Sequence, residues 1–346
     1  MHASIISRIK VLAGLKIDET RIPQDGRIRH ELDGTFIDLR ISTMPVLDHE
    51  KVAMRLLPVE SQIVSLEVLG FWKKVEEKLQ VILERPTGVL LISGPTGSGK
   101  TTTLYSMLRT LNKPDANIIT LEDPVEYFLS GVNQVQINAE IGLTFSSGLR
   151  AVLRQDPNIV MVGEVRDRET AELAIQAALT GHFMLSTIHA KDVIGVIPRL
   201  IDMGVEPFLI SASLNAILAQ RLVRKICENC KESVSIPAEL EKDVRKELLE
   251  IPKDTIGDID IKGPLTFYRG KGCTVCGNTG YKGRTVVAEM ILMTNELREL
   301  VRSSISFDAL RDEMKRQGMT TLKQDGVLKA LHGFTTMEEV LSITRD

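Results

Sequence analysis

The stretch GPTGSGKTT, from Gly94 to Thr102, carries glycines, a lysine and a threonine at the G-x-x-x-x-G-K-[ST] spacing. Glycines in such a loop let the backbone wrap closely, so that its N–H groups point at phosphate oxygens. The loop here is Gly94, Pro95, Thr96, Gly97, Ser98, Gly99, Lys100, Thr101 and Thr102. Lys100 has the charge and reach to neutralise the β- and γ-phosphates of a nucleotide such as ATP, and the Thr101 hydroxyl can ligate Mg2+. The bland alternative is a glycine-rich turn with no ligand. Context argues against it: the apolar run GVLLIS precedes the loop and TTTLYSMLRTL follows as a helix, whose N-terminal dipole favours anions.

Other candidate groups cluster around the same chemistry. ITLEDPVEY places Glu122, Asp123 and Glu126 just past the next apolar run, on the edge where open α/β sheets bind ligands. An Asp-Pro turn after a strand is by itself commonly just a turn. Beside a phosphate loop, the carboxylates can hold magnesium-bound waters or position an attacking water. NIVMVGEVRD reads as a buried strand ending at Gly163-Glu164, where an aspartate would ordinarily hold the metal shell. TGHFMLSTIHAKD brackets a further strand with His182 and His189. A lone histidine at a strand end is usually structural; a pair around one strand can sense a γ-phosphate or link Glu164 to a neighbour.

All four cysteines fall in two CxxC pairs, Cys227 with Cys230 and Cys273 with Cys276. In a reducing compartment this spacing favours a tetrahedral zinc site over disulfides. Residues 231–272 between the pairs exceed the roughly 15 to 20 of a compact zinc ribbon. The glycines of CTVCGNTGYKGR restore the argument, since they permit a tight knuckle. Free thiols and redox chemistry are the competing readings.

The elements that must position these groups follow from periodicity. The chain has 346 residues, enough for two or three domains, with 43% hydrophobic and 26% charged residues. A net charge of −3 gives no reason to expect a nucleic-acid partner. The N-terminal MHASIISRIKVLAGLK lacks the apolar core and cleavage site of a signal peptide, and no apolar run approaches the roughly 20 residues of a transmembrane segment. A cytoplasmic chain is therefore expected. Residues 1–57 read as a small α+β unit with alternating TFIDLRIST and EKVAMRLLP. Residues 62–84 read as helical, and GVLLIS, NIITLE, NIVMVG and FMLSTI alternate with helices, the pattern of a parallel sheet. After residue 205 the pattern reads as helical, interrupted by a charged insertion whose IPAELEKDVRKELLEIP is an amphipathic helix.

The phosphate loop, IITLEDPVEY, GLRAVLRQDPNIVMVGEVRD and TGHFMLSTIHA occur in this order, and together they resemble the secretion ATPase superfamily. Within it the chain resembles the branch that drives type II secretion and type IV pilus assembly. The resemblance spans residues 1–346 and includes both cysteine pairs. It implies a RecA-like P-loop NTPase domain with a partial N-terminal α+β (PAS-like) domain, a four-cysteine zinc insertion and a helical C-terminal region. The corresponding boundaries are 1–60, 61–226, 227–285 and 286–346. It further implies a homo-hexamer binding ATP with Mg2+ and Zn2+, located in the cytoplasm and peripheral to the inner membrane through the platform proteins of a secretion or pilus machine. Members usually begin earlier, with more of the small domain and a docking domain; both are expected to be missing here.

Carried over position by position, the resemblance assigns Lys100 and Thr101 to phosphate and magnesium. Glu122, Asp123 and Glu126 form the aspartate box, Glu164 is the Walker B glutamate, and His189, with His182, belongs to the histidine box. With three acids nearby, Glu164 is freed from the metal and left to orient the attacking water. Gly163 then keeps side-chain bulk from the phosphates, and Arg166 answers the charge. Candidate phosphate or interface arginines are Arg40, Arg55, Arg150, Arg154, Arg166 and Arg199, since charge on a transferring phosphoryl group requires cations placed beforehand. The expected activity is MgATP hydrolysis powering pseudopilus assembly in type II secretion. Type IV pilus assembly is the near alternative, a retraction or DNA-transport motor a further one, and a nucleotide-dependent scaffold without hydrolysis the distant one.

Overall fold

The chain divides into two compact units, one of residues 1–63 with 124–130 and one of 64–123 with 131–346. The computed structural model describes residues 2–32, 35–57, 64–257, 259–303 and 306–344. The first unit has helix α1 (His2–Leu12) and strands β1 (Gln24–Leu32), β2 (Thr35–Val46) and β3 (His49–Leu57), an antiparallel sheet in the order β1-β2-β3. Alternation in β2 sends successive side chains to opposite faces: Ile41 is fully buried while its neighbour Arg40 is half-buried on the other face. The buried Lys10 of α1 meets Glu50 of β3 at 2.6 Å, so a charge enclosed by the helix is paired.

The second unit begins with α2 (Lys73–Leu83), preceded by a short 3₁₀ turn at Leu66–Val68. The single helix expected over 62–84 is therefore broken, and residues 62 and 63 lie outside the described residues. Gly70 is the reason: its φ is +91°, and a Cβ there would lie 2.1 Å from Thr285 Oγ1. There follow β4 (Gly88–Ser93), α3 (Lys100–Leu111), β5 (Ile118–Glu122), β6 (Asn133–Gln136), α4 (Phe145–Val152), β7 (Ile159–Val162), α5 (Arg168–Leu179) and β8 (Phe183–Ile188). The four strands expected here are present as β4, β5, β7 and β8. Each is buried along its length, as near-continuous apolar runs in parallel sheets require.

The helical reading after residue 205 is corrected. Helices α6 (Val196–Asp202) and α7 (Pro207–Ser213) lead into β9 (Leu214–Ile226), which runs parallel to β4. The insertion contains β10 (Lys231–Val234), α8 (Ala238–Glu250), α9 (Lys253–Ile256) and β11 (Phe267–Gly270), with β10 and β11 antiparallel. Helix α8 is the amphipathic helix the sequence announced, and its Val244 and Leu248 pack into a cluster with Phe267 and Val327. Next comes β12 (Tyr281–Leu292), antiparallel to β9, so the sheet order is β12-β9-β4-β8-β7-β5-β6. Residues 286–292 are thus strand, where a helical region was expected. Four helices end the chain: α10 (Asn295–Ser303), α11 (Phe307–Arg316), α12 (Leu322–Leu331) and α13 (Met337–Thr344). Among the described residues no helix is long and apolar enough to cross a membrane.

Helix α12 covers the outer edge of β12 with polar groups. Asp325 Oδ2 accepts from Ala288 N at 2.6 Å and pairs with Lys329 Nζ at 2.9 Å, and Lys329 also donates to Val286 O. Asp325 is 1% and Lys329 2% exposed. Removing one member of such a pair leaves an uncompensated buried charge. Asp325→Ala is expected to destabilise the protein by about 3–5 kcal/mol; a loss below about 1 kcal/mol in urea unfolding would show that the pair does not hold α12 to the sheet.

Candidate active site

The phosphate loop joins β4 to α3 at the C-terminal edge of the sheet. Gly94 leaves β4 with φ +153°, and a Cβ there would meet Gln220 O at 2.6 Å and Ser98 Oγ at 2.5 Å. The loop therefore packs on β9, and only glycine fits. Gln220 is fully buried and donates from Nε2 to Ser98 O at 2.8 Å. Ser98 Oγ and Gln220 Oε1 are buried without a hydrogen-bond partner, which suits a loop built to take further polar contacts. Lys100 Nζ donates to Gly94 O at 2.8 Å and Pro95 O at 3.0 Å. Burial pushes the Lys100 ammonium below its ordinary pKa, with Arg221 adding to this and Glu164 opposing it. Thr101 is exposed in the first turn of α3. Phosphate oxygens fit the Lys100 and loop N–H donors, and the Thr101 hydroxyl oxygen fits a magnesium ion as a ligand.

The strand tips bring further groups to the same edge. Glu164, one residue past Gly163 at the end of β7, pairs with Arg166 and lies 3.3 Å from His189 Nε2. Its side chain is 15% exposed, against 62% for Arg166 and 51% for His189, so the carboxylate is largely enclosed while its partners face solvent. The Glu164 hydrogen bond raises the Arg166 pKa, and Asp123 contributes from the tip of β5. Gly163 is close to β5: its N–H donates to Leu121 O at 2.8 Å, and a Cβ would approach that oxygen to 3.2 Å. A side chain there would press on the neighbouring strand.

Glu122 is 3% exposed and carries a network of its own. Tyr105 Oη donates to Oε2, while Thr120 Oγ1 at 2.6 Å and Gln134 Nε2 at 3.2 Å donate to Oε1. Glu126 lies in the segment 124–130, which belongs to the first unit, so the acidic stretch is divided between units. His182 precedes β8, its Nδ1 lies 2.9 Å from Ala177 O at the end of α5, and the full length of β8 separates it from His189.

The arginines fall into three settings. Arg40 and Arg55 are cross-strand partners in the first unit, and Arg27 of β1 is the partner of Arg40 on its other side. Three guanidinium side chains thus stand in one row, an arrangement that like-charge repulsion disfavours and that the motif reading missed at Arg27. Arg150 pairs with Glu169, and Arg154 donates to Arg150 O at 2.7 Å. Arg199 and His189 line one depression of about 400 Å³.

The four cysteines converge from two connections, β9 to β10 and β11 to β12. All four Sγ atoms lie within 4.8 Å of one another, with Cys227–Cys273 and Cys230–Cys276 at 3.9 Å and Cys273–Cys276 at 3.7 Å. A zinc–sulfur bond of about 2.3 Å implies a tetrahedral edge of about 3.8 Å, whereas a disulfide requires about 2.05 Å. Burial raises the pKa of these thiols, and at Cys276 the N–H groups of Cys273 and Gly280, at 3.2 and 3.3 Å, together with the Cys273 and Cys230 thiols bring it down, while Cys230 is pushed up. The donor set fits zinc.

A glycine loop at the tip of a central parallel strand, continued by a helix and flanked by acidic and histidine tips, defines a RecA-like P-loop NTPase fold. The chain belongs to the family described as type II/IV secretion system protein, whose model matches residues 1–342. It is 46% identical over 349 residues to type II secretion system protein E of Pseudomonas aeruginosa, covering 100% of this chain and 66% of that protein. It is also 46% identical to the type IV pilus assembly ATPase PilB of Thermus thermophilus, covering 99% of this chain and 37% of that protein. The chain thus spans only part of the length of these relatives. The crystal structure of the pilus retraction motor PilT with bound ADP matches with a TM-score of 0.69 at 26% identity, over 94% of this chain and 78% of that one. The ATPase DotB of Legionella pneumophila matches with a TM-score of 0.66 at 21% identity, over 93% of this chain and 77% of that one, a likeness of fold.

The close approach at Gly94 makes the loop testable without turnover. Gly94→Ala is expected to weaken binding of a fluorescent ATP analogue at least about tenfold, or roughly 1.4 kcal/mol; affinity within about twofold of the unsubstituted protein, read by titration, would show that the loop does not act as the phosphate cradle.

Proposed function

We propose that this chain hydrolyses ATP and, as part of a hexameric motor, powers pseudopilus assembly in type II protein secretion. The observation that carries the reading is the Glu164–His189–Arg166 constellation on the strand tips beside the phosphate loop. Lys100 and the loop amides bind the phosphates, and Thr101 ligates magnesium, which when bound polarises the phosphoryl oxygens. Glu164 orients the attacking water, with His189 and Arg166 fixing its carboxylate. Asp123 and Glu126 supply further acid, and Glu122 acts by bracing the end of β5. Arg40 and Arg55 are the cations this reading assigns to the transferring phosphoryl group.

Secretion is favoured over pilus assembly by wording such as IDMGVEPFLIS. Type IV pilus assembly is the second reading, supported by an equally similar relative. In either case the chain works in the cytoplasm against an inner-membrane platform. Zinc in the four-cysteine cluster is the other part of the proposal: the sulfur spacing supports it, and the ion would clamp the ends of β9 and β12.

Two measurements test this reading. Steady-state phosphate release is expected to fall about 100-fold or more in Glu164→Gln, with nucleotide still bound; equal release from both proteins would leave a nucleotide-dependent scaffold as the better reading. Metal analysis of purified protein is expected to give about one zinc per chain, lost in Cys273→Ser; less than about half an equivalent in the unsubstituted protein would remove zinc from the proposal.

A further inference from the structure

The loop after β8 runs from His189 to Gly195 and is held by three polar groups that the chemistry above does not use. Ser93, the last residue of β4, donates from Oγ to Ala190 O at 2.9 Å and accepts from Ala190 N at 3.2 Å. Arg221 of β9 donates from Nη2 to Lys191 O at 2.6 Å. Glu289 of β12 accepts from Val193 N at 2.8 Å through Oε1, and from Leu322 N at 3.0 Å through Oε2. One carboxylate therefore grips both the loop carrying His189 and the first residue of α12. Glu289 is 3% exposed and Val193 1%. A carboxylate is an expensive group to enclose at this depth, and an apolar side chain would pack there at lower cost. What the carboxylate does, and an apolar group cannot, is accept two backbone N–H groups from separate elements, one of them at a helix N-terminus whose dipole favours it.

We propose that Glu289 is a positioning residue for hydrolysis: it fixes the loop that presents His189 to Glu164, and it joins that loop to α12 so that the C-terminal helices set the hydrolytic geometry. The proposal rests on the reading of Glu164 and His189 given above. The link continues to the nucleotide loop through Ser93, which directly precedes Gly94, and through Gln220, which braces Ser98 from the strand that carries Arg221.

The electrostatics supply a distinctive signature. Burial is the dominant influence on Glu289 and pushes its carboxyl up to about 7, with Asp192 adding to the effect while the two N–H donors and Arg221 oppose it. The charged groups facing this corner are Asp192 of the loop, Arg221 of β9, Lys323 of α12 and Arg311 of α11, which share with Glu289 the lining of a cavity of about 810 Å³. Lys191, Glu250 and Lys315 complete its charged lining. As pH falls through about 7 the carboxylate takes up a proton, one acceptor becomes a donor, and a backbone N–H loses its partner. The loop is thus fully held above that pH and slackened below it.

Steady-state ATPase measurements on the whole chain between pH 6 and 8.5 test this. At pH 8, Glu289→Gln is expected to lower kcat about tenfold, as a small misplacement of catalytic groups does, with KM for ATP within about twofold. The unsubstituted protein is expected to lose activity towards pH 6, and the variant profile to lack that limb. A kcat unchanged by Glu289→Gln, or the same limb in both proteins, would overturn the proposal. Hydrogen exchange supplies a readout independent of turnover and of the variant's folding. Protection of the Val193 amide in the unsubstituted protein is expected to drop about tenfold from pH 8 to pH 6 after correction for intrinsic exchange; constant protection would overturn the proposal. Should the unsubstituted protein show no hydrolysis, the ATPase reading fails while exchange still decides the role of Glu289.

Discussion

Parallel pairing of β5, β7, β8 and β4 is the constraint on which the second unit depends. Strands that run the same way deliver their C-terminal ends to one edge, about 4.8 Å apart from neighbour to neighbour. Asp123, His189 and the loop from Gly94 each follow immediately on one of those ends, and Glu164 follows one residue later, after Gly163. No long-range coincidence is needed to assemble them, because each needs only to lie within two residues of the end of its strand. The same rule places His182 far from them, since it enters β8 where the others leave their strands.

The groups next to this edge are held by polar residues set into otherwise apolar strands. Gln220 interrupts AILAQRL and Glu289 interrupts VVAEMIL, and both are buried. A buried polar group left unpaired costs about 1–3 kcal/mol, so each such residue restricts its neighbours to the few arrangements that satisfy it. Apolar packing alone would tolerate small slips of a loop, whereas Glu289 with two backbone donors, or Glu122 with three side-chain donors, does not. The rigidity of the strand tips is thus bought inside the sheet rather than at the exposed loops themselves.

Much of this was legible in the sequence where one signal dominated. Fully buried strands separated by helices gave a clear period, and the phosphate loop and cysteine pairs carry their spacing on the surface of the text. Strand β9 was missed because Leu214, Ile217, Leu218 and Leu222 also satisfy a helical repeat, and a strand buried on both faces shows no alternation to contradict it. Arg27 escaped notice for a different reason. Its place beside Arg40 is a matter of cross-strand register, which turns and packing set and which spacing along the chain does not encode. Gln220 and Glu289 could have been suspected, since a polar residue inside an apolar run asks for a partner, but which partner is a tertiary fact.

The covering of β12 has a consequence beyond stability. An open sheet edge is a row of unsatisfied N–H and C=O groups able to recruit a strand from another molecule. Here Val286 N donates to Leu69 O, Ala288 N to Asp325, and Leu292 N to Gln317, while Lys329 and Gln317 donate back to Val286 O and Leu292 O. The opposite edge, β6, is four residues long and carries Asn133, Gln134 and Gln136. In a protein whose proposed working form gathers identical chains side by side, the β12 edge of the seven-stranded sheet is thereby closed to the addition of a strand from a neighbour.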